Sequence, residues 1–284
     1  MTQPNQSSVA GRGMRTYRWP PTGDIELEVV SVTSIIGGGI PKPFLAPWSA
    51  KMVAEFAVDR HAAVQAMLEV PADEREKAKN DAIDWLKRAP YRTTAEKANM
   101  GTIVHAAVDA YLSGKPLKDA DIEAMLKEKR VPIERWKATR GYVSAAFEFL
   151  NDHRPDVLHT EATIYSRSHM YSGTADVLAL MNLDGDDVPA VIDFKTSKRI
   201  YDEVGLQLCA YSRGEFVGND DGQELPLFPD GLECRNGIGV RLMPGGKYEA
   251  IRFHLSDDLF DVFLHAQGVA LGSKTIQQSR GFEL

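Results

Sequence analysis

The sequence predicts an α/β protein of the α+β kind, with a central mixed β-sheet flanked by helices. Three observations predict it. Apolar residues keep helical spacing, with interruptions, from Trp48 to Leu150; strand-like runs take over after Pro155; and a strand, helix, hairpin and helix follow in that order.

Residues 1–13 are rich in Gln, Ser, Asn and Gly and nearly lack apolar side chains, so they are expected to form a disordered tail. Thr16 to Trp19 and Glu26 to Ser34 read as strands around the turn-forming run Pro20-Pro21-Thr22-Gly23-Asp24. Gly37-Gly38-Gly39 reads as a flexible turn that breaks the chain, because the Gly-Lys-Ser/Thr of a phosphate loop does not follow it. Trp48 to about Leu86 is helical, interrupted at Pro71-Ala72-Asp73. A further helix starts near Thr93 or Thr94 and carries the apolar stripe Ile103, Val104, Ala107, Val108; another runs from Ile133 to Leu150.

Val157 to Tyr165, Ser172 to Leu183 and Val188 to Thr196 read as strands. Asp184-Gly185 joins the last two as a hairpin, since this dipeptide accepts the positive φ angles of a tight turn. A helix over Asp202 to Ser212, a hairpin of Ile238 to Leu242 with Tyr248 to His254, and a helix over Asp257 to Leu271 complete the reading.

Composition bounds the function. A net charge of −7 argues against a broad basic surface, yet a carboxylate-rich metal site would contribute to that charge and a local stripe can still grip phosphates. One stripe exists: Lys127, Lys129, Arg130, Arg135, Lys137 and Arg140, interleaved with Trp136, which reads either as a nucleic-acid contact or as a solvated helix face. Two cysteines are too few for a disulfide framework or a four-thiolate cluster. No run approaches the ~20 apolar residues that span a bilayer, and no signal pattern is present, so a soluble cytoplasmic protein is expected, with no membrane partner.

The chemistry is concentrated in the central strands. Side chains alternate along a strand, so Asp193 and Lys195 project together while Ile192 and Phe194 point the other way. Asp176 interrupts an apolar run on the partner strand. Two acids and a lysine on apolar strands are costly to bury unless they pair or bind a cation. Magnesium fits, since it takes oxygen ligands, needs only one or two carboxylates and keeps reactive waters; a buried structural ion pair is the alternative for Asp193 and Lys195 alone.

Gly173-Thr174-Ala175-Asp176, Ile192-Asp193-Phe194-Lys195-Thr196 and Gln207-Leu208-Cys209-Ala210-Tyr211, in that order, resemble the signature of RecB-like PD-(D/E)XK nucleases. Gly101-Thr102-Ile103-Val104-His105 resembles the family's upstream Gly-x-x-x-His helix. The resemblance implies a restriction-endonuclease-like core with Lys195, Asp193, Asp176, Gln207 and Tyr211 in catalysis. It also implies metal ligation by His105, Asp176 and Asp193, with Glu161 as a further acid. Pro155-Asp156 spells the family's name but lies far before Asp193, so Asp156 reads as a turn residue.

It covers about residues 93–215, the expected catalytic core of a single domain over 14–284; residues 14–92 form an N-terminal hairpin and helical elaboration, and 216–284 a C-terminal hairpin and helix. The resemblance implies a phage-encoded kind of stand-alone exonuclease without an iron–sulfur cluster, acting in the host cytoplasm on single-stranded or duplex DNA ends. Mg2+ is the implied cofactor, with Mn2+ able to substitute, and a recombination or single-strand-binding protein is an implied partner. A structure-selective endonuclease, or a catalytically silent nucleic-acid-binding protein of the same fold, stays open as the alternative.

Overall fold

The structure, a computed structural model, describes residues 7–10 and 14–279. Its strands are β1 (Ser7–Ala10), β2 (Met14–Trp19), β3 (Leu27–Ser31), β4 (Asp156–Ser166), β5 (Tyr171–Leu183), β6 (Asp186–Lys195), β7 (Phe216–Gly218), β8 (Glu224–Leu225), β9 (Asn236–Leu242) and β10 (Tyr248–His254). Its helices are α1 (Val32–Gly39), α2 (Leu45–Asp59), α3 (His61–Leu68), α4 (Arg75–Lys87), α5 (Ala89–Leu112), α6 (Asp119–Glu128), α7 (Trp136–His153), α8 (Glu203–Ser212) and α9 (Asp257–Gln278). This is a mixed α/β fold, as the sequence predicts. Where a single domain is expected, contacts divide the chain into two compact units, residues 41–99 and the remainder.

The smaller unit holds α2, α3, α4 and the start of α5. The rings of Phe56 and Trp85 meet at 4.7 Å, and the Arg92 guanidinium lies over the Phe56 ring at 4.4 Å.

In the larger unit the sheet is organised around β5. Along one edge β5 pairs antiparallel with β4. Along the other it pairs parallel with β3 at Tyr171 and Ser172, then antiparallel with β6 from Val177 onward. Gly173 to Asp176 pair with neither, so the sheet forks there. Beyond β6 the ladder continues parallel to β9 and antiparallel to β10. One face packs Ile103, Val104 and Ala107 of α5 and Phe149 of α7 against Val177, Ile192 and Phe194; the other packs α1, α8 and α9 against Leu178 and Val191.

Several expectations need correction. Of the tail 1–13, residues 1–6 and 11–13 lie outside the described residues, whereas Ser7–Ala10 pair with β2. The strand expected to reach Ser34 ends at Ser31, whose hydroxyl accepts the Ser34 N–H at 3.1 Å and caps α1. The triple glycine is no turn but the last turn of α1, packed on α9. A Cβ on Gly39 would stand 2.0 Å from the Ala266 carbonyl oxygen, so only glycine allows the two backbones this close. Gly39→Ala is therefore expected to cost about 1–3 kcal/mol in chemical unfolding through overpacking, and an unchanged midpoint would contradict this packing. The helix expected near Thr93 starts at Ala89, which Pro90 tolerates in a first turn, and α6 was not anticipated. Asp156 opens β4 rather than making a turn. The Asp184-Gly185 hairpin holds, both residues having positive φ of 60° and 100°.

Candidate active site

The site forms at the fork. The last β5–β6 pair is Val177 with Ile192, and the next residues are Asp176 and Asp193. There the Asp176 carboxylate, through Oδ2, accepts the Phe194 N–H at 2.7 Å. The acid thus satisfies a backbone group freed as the strands part.

Regular alternation also fails at this point. Residues 175 and 177 should share a face, yet Ala175 packs with the α8–α9 cluster and Val177 with the α5–α7 cluster. Opposite Asp176 on β4 stands Glu161, whose φ of +44° lies in the left-handed region that non-glycine residues avoid. Such strain persists only where surrounding structure imposes it, and it concentrates at functional sites.

His105, on α5, completes the group. Its Nδ1 lies 3.1 Å from Asp176 Oδ1 and 3.5 Å from Glu161 Oε1. One donor atom from each of the three residues falls within 4.8 Å of the others, a set able to hold a metal ion. Burial works to lower the His105 pKa, but the Asp176 and Glu161 carboxylates outweigh it and raise it to about 10. Burial likewise opposes ionisation of Asp176, yet His105, Lys195 and the Phe194 N–H hold its carboxyl below the usual range.

Asp193 and Lys195 share a face as strand alternation requires. Lys195 Nζ lies 2.6 Å from Asp193 Oδ2, and Asp193 is only 2% exposed, so the ammonium is its necessary counter-charge. Burial would lower the Lys195 pKa, but Asp193 and Asp176 hold it above its ordinary value, keeping the side chain charged. Burial, with Asp176 adding and Lys195 opposing, pushes the Asp193 carboxyl up to about 6.

Gln207 ties these groups together from α8. Its amide donates to Asp193 Oδ1 at 3.1 Å and to the Tyr211 hydroxyl at 3.1 Å, while its carbonyl accepts from Lys195 at 3.3 Å. The four-residue spacing places Gln207 and Tyr211 on one helix face, and Gly173 makes room for the phenol ring. A Cβ there would stand 2.6 Å from Tyr211 Cε1.

The structure therefore brings together every proposed catalytic residue, but divides them. His105, Glu161 and Asp176 form the cation-capable group; Asp193, expected as a further ligand, lies outside it and is engaged by Lys195 and Gln207. Two other histidines have partners of their own: His153 meets the Tyr248 hydroxyl and His159 the Pro226 carbonyl. In the basic stripe, Lys127 and Arg140 pair with Glu123 at 2.7 and 3.7 Å, beside the Trp136 ring.

A cavity of about 910 Å³ opens beside His105 and Glu161, lined also by Asp109, Thr160, Lys129 and Thr174. Sequence reasoning missed two of its supports. Asp109, one turn beyond His105, accepts the Thr160 hydroxyl at 2.6 Å, a link that the four-residue spacing hints at. Tyr17 meets the Thr174 hydroxyl at 3.1 Å across 157 residues, for which no local pattern exists.

Among the described residues no helix is long and apolar enough to cross a membrane. No family model and no curated protein matches the chain.

Proposed function

We propose that the chain is a divalent-cation-dependent nuclease that hydrolyses DNA phosphodiester bonds, working as an exonuclease in phage-type recombination or DNA processing. The observation that carries the proposal is the meeting of His105, Glu161 and Asp176 with the Asp193–Lys195–Gln207–Tyr211 chain at one break in the sheet. The order of these residues in the sequence, which resembles that of RecB-like PD-(D/E)XK nucleases, supports the same reading.

The two carboxylates suit Mg2+ or Mn2+, whereas the imidazole nitrogen is a donor that hard Mg2+ takes poorly and a transition ion such as Mn2+ takes more readily. Bound there, such an ion supplies Lewis-acid charge to the phosphate and acidifies water for attack. Asp176, fixed through one oxygen by the Phe194 N–H, presents the other beside His105. Lys195, kept protonated, acts as a positive charge toward the phosphate as negative charge builds there. Gln207 fixes the orientation of Lys195 and Asp193 through both ends of its amide, and Tyr211, whose phenol is held protonated mainly by burial, anchors Gln207.

The His105 shift has a consequence for binding. Its raised pKa stabilises the fold fully below the unfolded value of about 6.5, and that gain is lost as pH rises through about 10. At pH 8 His105 thus holds a proton that a coordinating cation must displace, so binding releases protons and tightens as pH rises toward about 10. Calorimetric titration with Mn2+ in buffers of different ionisation heat should give buffer-dependent enthalpies; identical enthalpies would show that binding displaces no proton from His105.

The function is tested with end-labelled linear duplex and single-stranded DNA, a closed circle of the same sequence, and RNA. Cleavage of linear DNA with Mg2+ or Mn2+, abolished by EDTA, is the expected result. Cutting of the circle would replace the exonuclease reading by an endonuclease one, and cation-independent cleavage would contradict the site.

A further inference from the structure

The loop from Thr196 to Tyr201 directly follows Lys195 and is held against the site at both ends. At its start, Thr196 Oγ1 lies 3.9 Å from where a Cβ on Gly101 would stand, one turn before His105 on α5. At its end, Ile200 folds onto Gly239, the residue paired with Asp193 across the β6–β9 ladder, with Ile200 Cγ2 3.3 Å from that Cβ position. Between these anchors Lys198 and Arg199 are exposed. The Ser197 hydroxyl donates to the Arg199 carbonyl at 2.7 Å, and the Arg199 guanidinium stacks on the Tyr201 ring at 4.6 Å.

Among the described residues neither Lys198 nor Arg199 has a carboxylate within ion-pair distance; in the basic stripe Lys127 and Arg140 are occupied by Glu123 and only Arg130 and Lys137 share this state, so what sets the loop apart is its place directly after Lys195. The cavity beside the site is itself acidic on balance, with Asp109, Glu128, Glu161 and Asp220 set against Lys129 and the protonated His105. A polyanion gains little from that wall and more from two uncommitted cations on the loop.

We propose that the loop from Thr196 to Tyr201 is the strand-gripping element, with Lys198 and Arg199 holding backbone phosphates of the DNA strand beside the scissile bond. This rests on the nuclease reading above and adds where the polymer is held. Three residues of chain span at most about 11 Å, so Lys198 stays close to Lys195. A guanidinium pre-ordered on an aromatic ring loses little freedom in forming paired hydrogen bonds to a phosphate. Residues this exposed and this close to the centre grip substrate without entering the chemistry.

The test is anisotropy of a labelled single-stranded oligonucleotide in Ca2+, which takes the same oxygen ligands, with gels checking that the oligonucleotide stays intact. Wild type, K198A/R199A and R130A/K137A are compared across salt concentrations; the last pair removes the same charge from the basic stripe. Expected for K198A/R199A is roughly tenfold weaker binding at 0.1 M salt, with the log–log salt slope reduced by about 1.4, for two lost phosphate contacts. R130A/K137A should lose less, and thermal melting should match wild type for both. Unchanged binding and slope in K198A/R199A, or a larger loss in R130A/K137A, overturns the loop assignment. Cleavage of the same oligonucleotide by wild type with Mg2+ then leaves the nuclease reading standing, whereas a wild type that neither binds the oligonucleotide nor cleaves it or linear duplex DNA overturns both.

Discussion

Lys195→Ala is expected to lower DNA cleavage by roughly 10²- to 10³-fold, the usual cost of removing one charge-stabilising donor from a water-poor site. The prediction follows from two facts. Lys195 is held charged by Asp193 and Asp176, so it supplies positive charge rather than accepting a proton. It also lies outside the group of His105, Glu161 and Asp176, so its loss removes charge toward the phosphate without removing a cation ligand. Single-turnover rates should therefore collapse while Mn2+ affinity stays within a fewfold of wild type. The variant also leaves Asp193 buried without its ammonium, so a lower melting temperature should accompany the loss. Comparable rates for the two proteins would remove Lys195 from the mechanism.

Asp176→Asn should have an effect of similar size by a different route. The asparagine carbonyl can still accept the Phe194 N–H, so the fork should keep its geometry. What is lost is the negative charge beside His105. Losing one ligand should weaken cation binding by at least roughly the 10- to 100-fold that follows loss of a mere supporting group, and cleavage should fall with it. Excess Mn2+ should restore part of the activity in this variant and none in Lys195→Ala. Wild-type Mn2+ affinity in Asp176→Asn would show that the carboxylate is structural.

Much of this site is legible because local geometry is enough to place it. Strand alternation puts Asp193 beside Lys195, and helical spacing puts Gln207 beside Tyr211; both hold in the structure at 2.6 and 3.1 Å. His105 is legible only through the order of motifs, since a lone helical histidine carries no geometric signal. Glu161 is less legible still. The β4–β5 register sets it opposite Asp176, which no local pattern specifies, and the left-handed residue at 161 with the face change at 176 breaks the alternation that would show which way the pair faces. Sequence periodicity cannot anticipate that break, because it arises from how β3 and β6 share one edge of β5.

The fold fails to be legible for the same kind of reason. Val32-Thr33-Ser34-Ile35-Ile36 has strand-like composition, yet the Ser31 cap and close packing on α9 make it helical, and the glycines that suggest a break are what permit that packing. Tertiary contact overrides local preference there. The division of the chain at residues 41–99 is equally hidden, because α5 runs continuously across the boundary.

The central claim is that cleavage depends on a cation held by His105, Glu161 and Asp176. The most direct measurement is Mn2+ titration followed by electron paramagnetic resonance, with cleavage rates taken in the same samples, for wild type, His105→Ala, Glu161→Gln and Asp176→Asn. Binding and cleavage should fall together in all three variants, with half-maximal cleavage tracking half-maximal binding in wild type. Full cleavage in variants that no longer bind the ion, or unchanged binding in all three, would contradict the account.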